Sequence, residues 1–275
     1  MTGEDRGVAD AVATQRGAIA RAIALVEGAF RAGGRLFYVG AGTSGRLGIL
    51  DATECPPTFG SDPGLVQGII AGGERAVFRS QEGAEDHPAG GAQAIDEHHI
   101  TSRDVVVGIA ASGTTPFVRG ALDRASVLGA ATVIVVCTPI DPEFAATLDV
   151  TITAITGPEV VTGSTRLKAG TATKMILNML STGAMIRVGK TFGNLMIDLK
   201  ASNVKLRDRA ERIVVEVCGV TREEARVLLD SSGGSVKLAI VMHGLGIDAA
   251  GAAAALVAGG GVVRAVVGGP PPVTG

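Results

Sequence analysis

The chain has 275 residues, 46% hydrophobic and 19% charged, with a formal net charge of −2. That length buries a full core as one large domain, alone or with a small appendage, and the composition excludes the polar, highly charged class of disordered chains. A near balance of 25 basic and 27 acidic residues, no Trp and one Tyr predict neither a nucleic-acid surface nor a membrane surface; Cys55, Cys137 and Cys218, far apart and without a CxxC pair, argue against a disulfide framework or a metal site and fit a reducing cytoplasm.

The start, Met1-Thr2-Gly3-Glu4-Asp5-Arg6, lacks the apolar core of a signal peptide. Val8, Val12, Ile19, Ile23, Val26 and Phe30 then recur at mostly three- and four-residue steps and predict one amphipathic helix stopped at Gly33-Gly34. Residues 35–39 are a compact β-prone run. They lead into the loop Gly40-Ala41-Gly42-Thr43-Ser44-Gly45-Arg46 and a helix over 45–54, stopped by Pro56-Pro57. Further apolar runs at 65–70, 105–109, 132–136 and 150–155 alternate with helical segments such as 93–99 and 117–128. Buried parallel strands with crossover helices read this way, so the fold class is α/β. Residues 165–188 form one long helix offering Leu167, Met175, Ile176, Met179 and Leu180 to the core. From about 201 the strands stop, and patches at 201–217, 222–229 and 235–243 predict a helical appendage. The apolar stretch 249–263 is too short to span a bilayer and reads as a packed helix running into a loose tail. The expected division is a main domain over 1–200, a helical bundle over 201–257 and a flexible Gly/Pro-rich tail over 258–275.

Three clusters of small residues stand where a strand gives way to a helix: Gly42-Thr43-Ser44-Gly45, Ser112-Gly113-Thr114-Thr115, and Ser164-Thr165 after Thr162-Gly163. A helix N-terminus offers backbone N–H groups and the positive end of its dipole, and hydroxyls add donors, so each cluster suits an anion. The first matches neither GxGxxG nor the Gly-Lys-Ser/Thr of a P-loop, which demotes nucleotides. One such loop is equally an ordinary tight turn with a helix cap. Three of them at the carboxyl ends of strands in an open α/β sheet converge on one crevice. By residue type alone Glu54 reads as a solvated helix-end residue, and Glu82, Glu85 and Asp86 as an acidic turn ahead of a helix. Lys168 and Lys174 are possible counter-charges, His87 a possible general base, and His98 and His99 solvated.

The stretches 39–57, 70–74, 82–86, 108–113, 159–172 and 192–198 closely resemble the N-acetylmuramic acid 6-phosphate etherases, through Gly40-Ala41-Gly42-Thr43-Ser44-Gly45-Arg46, Thr53-Glu54-Cys55-Pro56-Pro57, Glu82-Gly83-Ala84-Glu85-Asp86 and Phe192-Gly193-Asn194-Leu195. More distantly the chain is similar to the glucokinase regulatory protein, and the helices after about 212 are similar to the ubiquitin-associated-like bundle that ends many relatives. The resemblance implies a sugar isomerase (SIS) fold and a carbon–oxygen lyase of murein recycling. It implies cleavage of the C3 lactyl ether of N-acetylmuramic acid 6-phosphate, giving N-acetylglucosamine 6-phosphate and D-lactate, with no metal or organic cofactor. Carried over, Glu54 matches the proton donor and Glu85 the second catalytic carboxylate. Gly42, Thr43, Ser44, Gly45, Ser112, Gly113, Thr114, Thr115, Ser164 and Thr165 then bind phosphate and sugar hydroxyls, with Lys168 as charge partner. A homodimer with sites near the subunit interface is also implied. Many relatives carry Arg at Thr114, a small polar residue at His87, and a further segment ahead of the first helix. A phosphosugar-sensing regulator and an aldose–ketose isomerase are the competing readings.

Overall fold

A computed structural model of the chain describes residues 1–198 and 204–270. It divides into two compact units, one of residues 1–55 and 62–184, the other of residues 56–61 and 185 onward.

The first unit opens with α1 (Thr2–Ala13) and α2 (Arg16–Arg31), followed by β1 (Leu36–Gly40), α3 (Gly42–Phe59), β2 (Val66–Ile70), α4 (Arg75–Phe78), α5 (Pro88–Glu97), β3 (Val105–Ile109), α6 (Pro116–Val127), β4 (Ala131–Val136), α7 (Pro142–Ala145), β5 (Val150–Thr153) and α8 (Lys168–Arg187). The five strands pair in parallel in the order β2-β1-β3-β4-β5. β1 and β3 are buried along their whole length, as expected of apolar runs covered on both faces by helices. Glycines let the helices in. A Cβ at Gly48 would lie 2.7 Å from the Tyr38 side chain, and one at Gly68 would lie 2.7 Å from Ile49, so α3 packs almost backbone to strand.

Two expectations are corrected. The predicted first helix is broken in two, with Thr14 and Gln15 at the break. Gln15 turns its side chain to the sheet instead, and its Oε1 accepts from the Thr153 N–H at the end of β5 (3.0 Å). In α8 the core face is Ala169, Ala172, Ile176, Leu177, Leu180 and Ala184, while Met179 is 40% exposed. Met179, three residues after Ile176 and seven after Ala172, stands at the margin of that buried stripe.

The second unit holds a two-stranded hairpin, β6 (Thr191–Phe192) with β7 (Leu195–Met196), and the helices α9 (Val204–Cys218), α10 (Arg222–Ser231), α11 (Val236–Leu245), α12 (Ala249–Ala258) and α13 (Val263–Val267). Thr221 and Glu224 form a reciprocal capping box at the start of α10. Its core joins Phe192, Ile213, Leu229, Ile240 and Val263. Val263 belongs to the stretch predicted as a tail, so that part of the chain is packed; residues 271–275 of it lie outside the described residues. No single helix among the described residues is long and apolar enough to cross a membrane.

Candidate active site

The strand order changes direction between β1 and β3: the chain steps outward from β1 to β2, then returns to the other side of β1 for β3. Loops leaving the carboxyl ends of two such strands diverge and open a crevice between them. Gly40 and Ile109 are paired at that edge, so the Gly42–Gly45 turn and the Ser112–Thr115 loop emerge side by side.

The first turn of α3 is built on close approach. A Cβ at Gly40 would sit 2.6 Å from the Gly45 N, and one at Gly45 would sit 2.7 Å from the Gly40 carbonyl oxygen. Gly42 has φ +51° with open space around its α-carbon, a left-handed conformation that suits glycine. Thr43 and Ser44 are half-buried on this helix start. In the neighbouring loop Gly113 has φ +71°. The Ser112 and Thr114 hydroxyls hydrogen-bond to each other (2.8 Å), and the Thr114 N–H donates to Ser112 Oγ (3.3 Å). Thr115 is the N-cap of α6 and makes no side-chain cap bond, leaving its hydroxyl for another partner.

The third cluster stands just ahead of α8. The first turn of α8 lies against the first loop, since a Cβ at Gly170 would be 3.9 Å from the Thr43 methyl. Its positive end is already occupied: the Glu159 carboxylate accepts from the N–H groups of Lys168 and Ala169, each at 3.0 Å. The buried Lys168 ammonium donates to Glu4 Oε2 at 2.7 Å, and this hydrogen bond holds the Glu4 carboxyl below its usual value. Ser164 and Thr165 precede the helix, with Thr165 exposed, and keep their hydroxyls. Lys168 has spent its charge within the chain.

The two glutamates stand on different elements. Glu85 is exposed on a short 3-10 turn, Ala84–Asp86, and lines a 210 Å³ cavity with Ala41, Gly42, Arg46 and Glu82. Glu54 is exposed on α3, twelve residues beyond Gly42, or roughly 18 Å along a helix rising 1.5 Å per residue. It does not line that cavity. His87 lines a larger, mainly apolar cavity beside β2, together with Ile49, His98 and Phe117.

A buried polar chain that sequence reading missed ties these elements together. Tyr38 on β1 donates its hydroxyl to Asp51 Oδ2 (2.8 Å); Asn178 on α8 donates to Asp51 Oδ1 (3.0 Å) and accepts from Lys174 Nζ (2.9 Å). Burial raises the Asp51 carboxyl above its ordinary 3.8, against hydrogen bonds from Tyr38 and Ser181 and the Lys174 charge. Burial, with Asp51 next to it, pushes the Cys55 thiol up to about 12, which suits a packed thiol and not a nucleophile. Arg46 was read only as the end of the glycine loop, and Glu159, four residues after Ile155, only as part of a motif, so neither was given a role of its own.

A profile of the glucokinase regulatory protein N-terminal SIS domain matches residues 18–126. The chain is 56% identical over 245 residues to the N-acetylmuramic acid 6-phosphate etherase of Trichormus variabilis, covering 89% of this chain and 80% of that one. It is 57% identical over 240 residues to the protein of the same name from Gloeobacter violaceus, covering 87% and 78%. The chain belongs to the N-acetylmuramic acid 6-phosphate etherase family. Among solved structures, a phosphosugar isomerase candidate from Bacteroides fragilis superimposes with a TM-score of 0.50 at 23% identity, over 66% of this chain and 86% of that one, a likeness of fold. In this family member the Gly42–Gly45 turn and the Ser112–Thr115 loop follow the paired ends of β1 and β3, and Glu82 and Glu85 line the cavity beside the first of them.

Proposed function

We propose that this protein cleaves the C3 lactyl ether of N-acetylmuramic acid 6-phosphate, giving N-acetylglucosamine 6-phosphate and D-lactate. The observation that carries the reading is identity of 54 to 57% with etherases of that name over 87 to 90% of the chain. Glu85 beside the Gly42 turn in one cavity agrees with it.

The chemistry assigns a task to each carboxyl. In the ring-opened sugar the C1 aldehyde acidifies the C2 proton. Glu85 removes it, the C3–O bond breaks, and a carboxylic acid protonates the departing lactate oxygen. Water then adds at C3 of the unsaturated aldehyde, giving its proton to the second carboxylate while Glu85 returns one to C2. Acid and base exchange roles by microscopic reversibility. The Gly42–Gly45 turn with Ser112, Thr114 and Thr115 holds the phosphate and hydroxyls, helped by Ser164 and Thr165.

Glu54 supplies the acid, but to the site of a second copy: it stands roughly 18 Å along α3 from Gly42 and is not among the residues lining the cavity that holds Glu85. The complete site therefore pairs Glu85 and the turn of one protomer with Glu54 of a second copy, in a homodimer. The reading requires no cofactor and places the protein in the cytoplasm, where the phosphosugar arises.

Incubation with N-acetylmuramic acid 6-phosphate is expected to release D-lactate, measured with a lactate dehydrogenase. Glu54→Gln and Glu85→Gln should each lower the rate by about 10²–10⁴-fold. Folded, dimeric wild-type protein that leaves the substrate intact would overturn the proposal.

A further inference from the structure

Arg46 is a half-buried cation that forms no ion pair among the described residues. It lines the cavity that holds Glu85, where its Nε donates to the Val77 carbonyl (2.8 Å) and Nη2 to the Ala76 carbonyl (2.7 Å). A guanidinium carries five N–H donors, so these bonds leave three, including both on Nη1. The two carbonyls fix the plane of the group without neutralising it. Among the described residues no carboxylate lies within ion-pair distance of it. Three other cations of the first unit have partners of their own: Lys168 the Glu4 carboxylate, Lys174 the Asn178 amide, and Arg119 the Gly113 carbonyl and the face of Phe144. A guanidinium held in place, partly desolvated and lacking a counter-charge is a receptor for an anion brought from outside, and its fork matches a carboxylate.

The position relative to Glu85 selects the anion. On the etherase reading, on which this inference rests, Glu85 works at C2. The lactyl group hangs from C3, the next carbon, and ends in a carboxylate, whereas the phosphate is three carbons further on at C6. We propose that Arg46 is a specificity-determining residue that receives the lactyl carboxylate through its free Nη donors, so that the site selects ethers carrying an acid. The hydroxyl-rich loops are then left to the phosphate.

The test compares N-acetylmuramic acid 6-phosphate with its lactamide analogue, in which the carboxylate is a neutral amide, as substrates for wild type, Arg46→Met and Arg46→Lys. Binding of N-acetylglucosamine 6-phosphate, which lacks the lactyl group, reports folding and phosphate recognition. Wild type should prefer the acid by at least about tenfold in kcat/KM, the worth of a charge-assisted hydrogen bond. Arg46→Met should lose that preference chiefly through KM, and Arg46→Lys should regain part of it, while N-acetylglucosamine 6-phosphate binds all three alike. Equal losses on acid and amide would reduce Arg46 to a brace for α4 and overturn the proposal. So would a tenfold loss of N-acetylglucosamine 6-phosphate affinity in folded Arg46→Lys, which would make Arg46 a phosphate ligand. Wild type that binds N-acetylglucosamine 6-phosphate yet releases lactate from neither substrate sinks the etherase reading itself, a result distinct from the other two.

Discussion

Two buried aspartates respond to protons in opposite senses because their surroundings differ. Asp104 accepts from the Arg35 N–H (2.8 Å) and Nη2 (2.9 Å) and from the Thr101 N–H (2.9 Å). Burial acts to raise its carboxyl, but these bonds and the Arg35 charge outweigh it and hold the value below 3.8. Its stabilising contribution is complete above the unfolded value near 3.9 and is lost as pH falls through the lower folded value. Asp51 has a raised carboxyl, so the folded state binds its proton more tightly than the unfolded chain. Its unfavourable contribution is present above the raised folded value and disappears as pH falls from there toward 3.8. Denaturant titrations across the acid range should therefore separate the variants. Asp104→Asn is expected to cost about 2–3 kcal/mol near neutral pH and to flatten the acid limb. Asp51→Asn should lack the part of the pH dependence that favours acid. Neither role could be read from the sequence. Asp104 is paired with a residue 69 positions away, and Asp51 stands in a helix where an aspartate reads as solvated. The same distance in sequence hid Lys168: a lysine at the start of a small-residue helix suggests a free phosphate partner until Glu4, 164 positions earlier, is brought to it.

At the scale of elements, the glycines divide into those that admit a neighbouring backbone and those that only lower helix propensity. A Cβ at Gly91 on α5 would lie 1.9 Å from the Phe117 carbonyl oxygen, and one at Gly120 on α6 would lie 2.1 Å from that of Pro88. The two helices thus touch main chain to main chain. Gly91→Ala should destabilise by about 3 kcal/mol. Gly28→Ala, where nothing lies within 4 Å of the added carbon, should stabilise α2 by about 0.5–1 kcal/mol. Matched thermal and urea unfolding of the two variants checks both signs. The strands themselves were readable because buried parallel strands are continuous apolar runs between glycine-rich turns, and all five formed where those runs stood. The break between α1 and α2 was not, because no Gly or Pro marks it. A tertiary hydrogen bond from Thr153 to Gln15 accompanies a local departure that the hydrophobic period alone cannot reveal. The hairpin of β6 and β7 escaped for a related reason: strands of two residues carry no periodicity.

For the whole molecule, the separation of Glu54 from the Glu85 cavity predicts complementation. Subunits carrying Glu54→Gln, mixed with subunits carrying Glu85→Gln, reassemble half into hybrids in which one of the two sites holds both native glutamates. Two nearly inactive preparations should then recover about a quarter of wild-type activity after subunit exchange, on the proposed two-fold dimer. No recovery, with exchange verified by mass, would place both glutamates in one protomer's site. The family resemblance proposes both carboxyls but does not say that only Glu85 lines the cavity beside the Gly42 turn, since residues sharing a family signature need not share a cavity. The three thiols bear on how such experiments can be followed. Cys55 and Cys137 are buried with thiols pushed up to about 12 and about 11, and the partly exposed Cys218 is held at about 11. Near neutral pH almost none of this sulfur is thiolate, the form that maleimides and iodoacetamides attack. The native chain is thus a quiet background for fluorescence, in which one cysteine introduced on the exposed rim near Glu85 takes a dye selectively and reports subunit exchange and sugar binding as they happen.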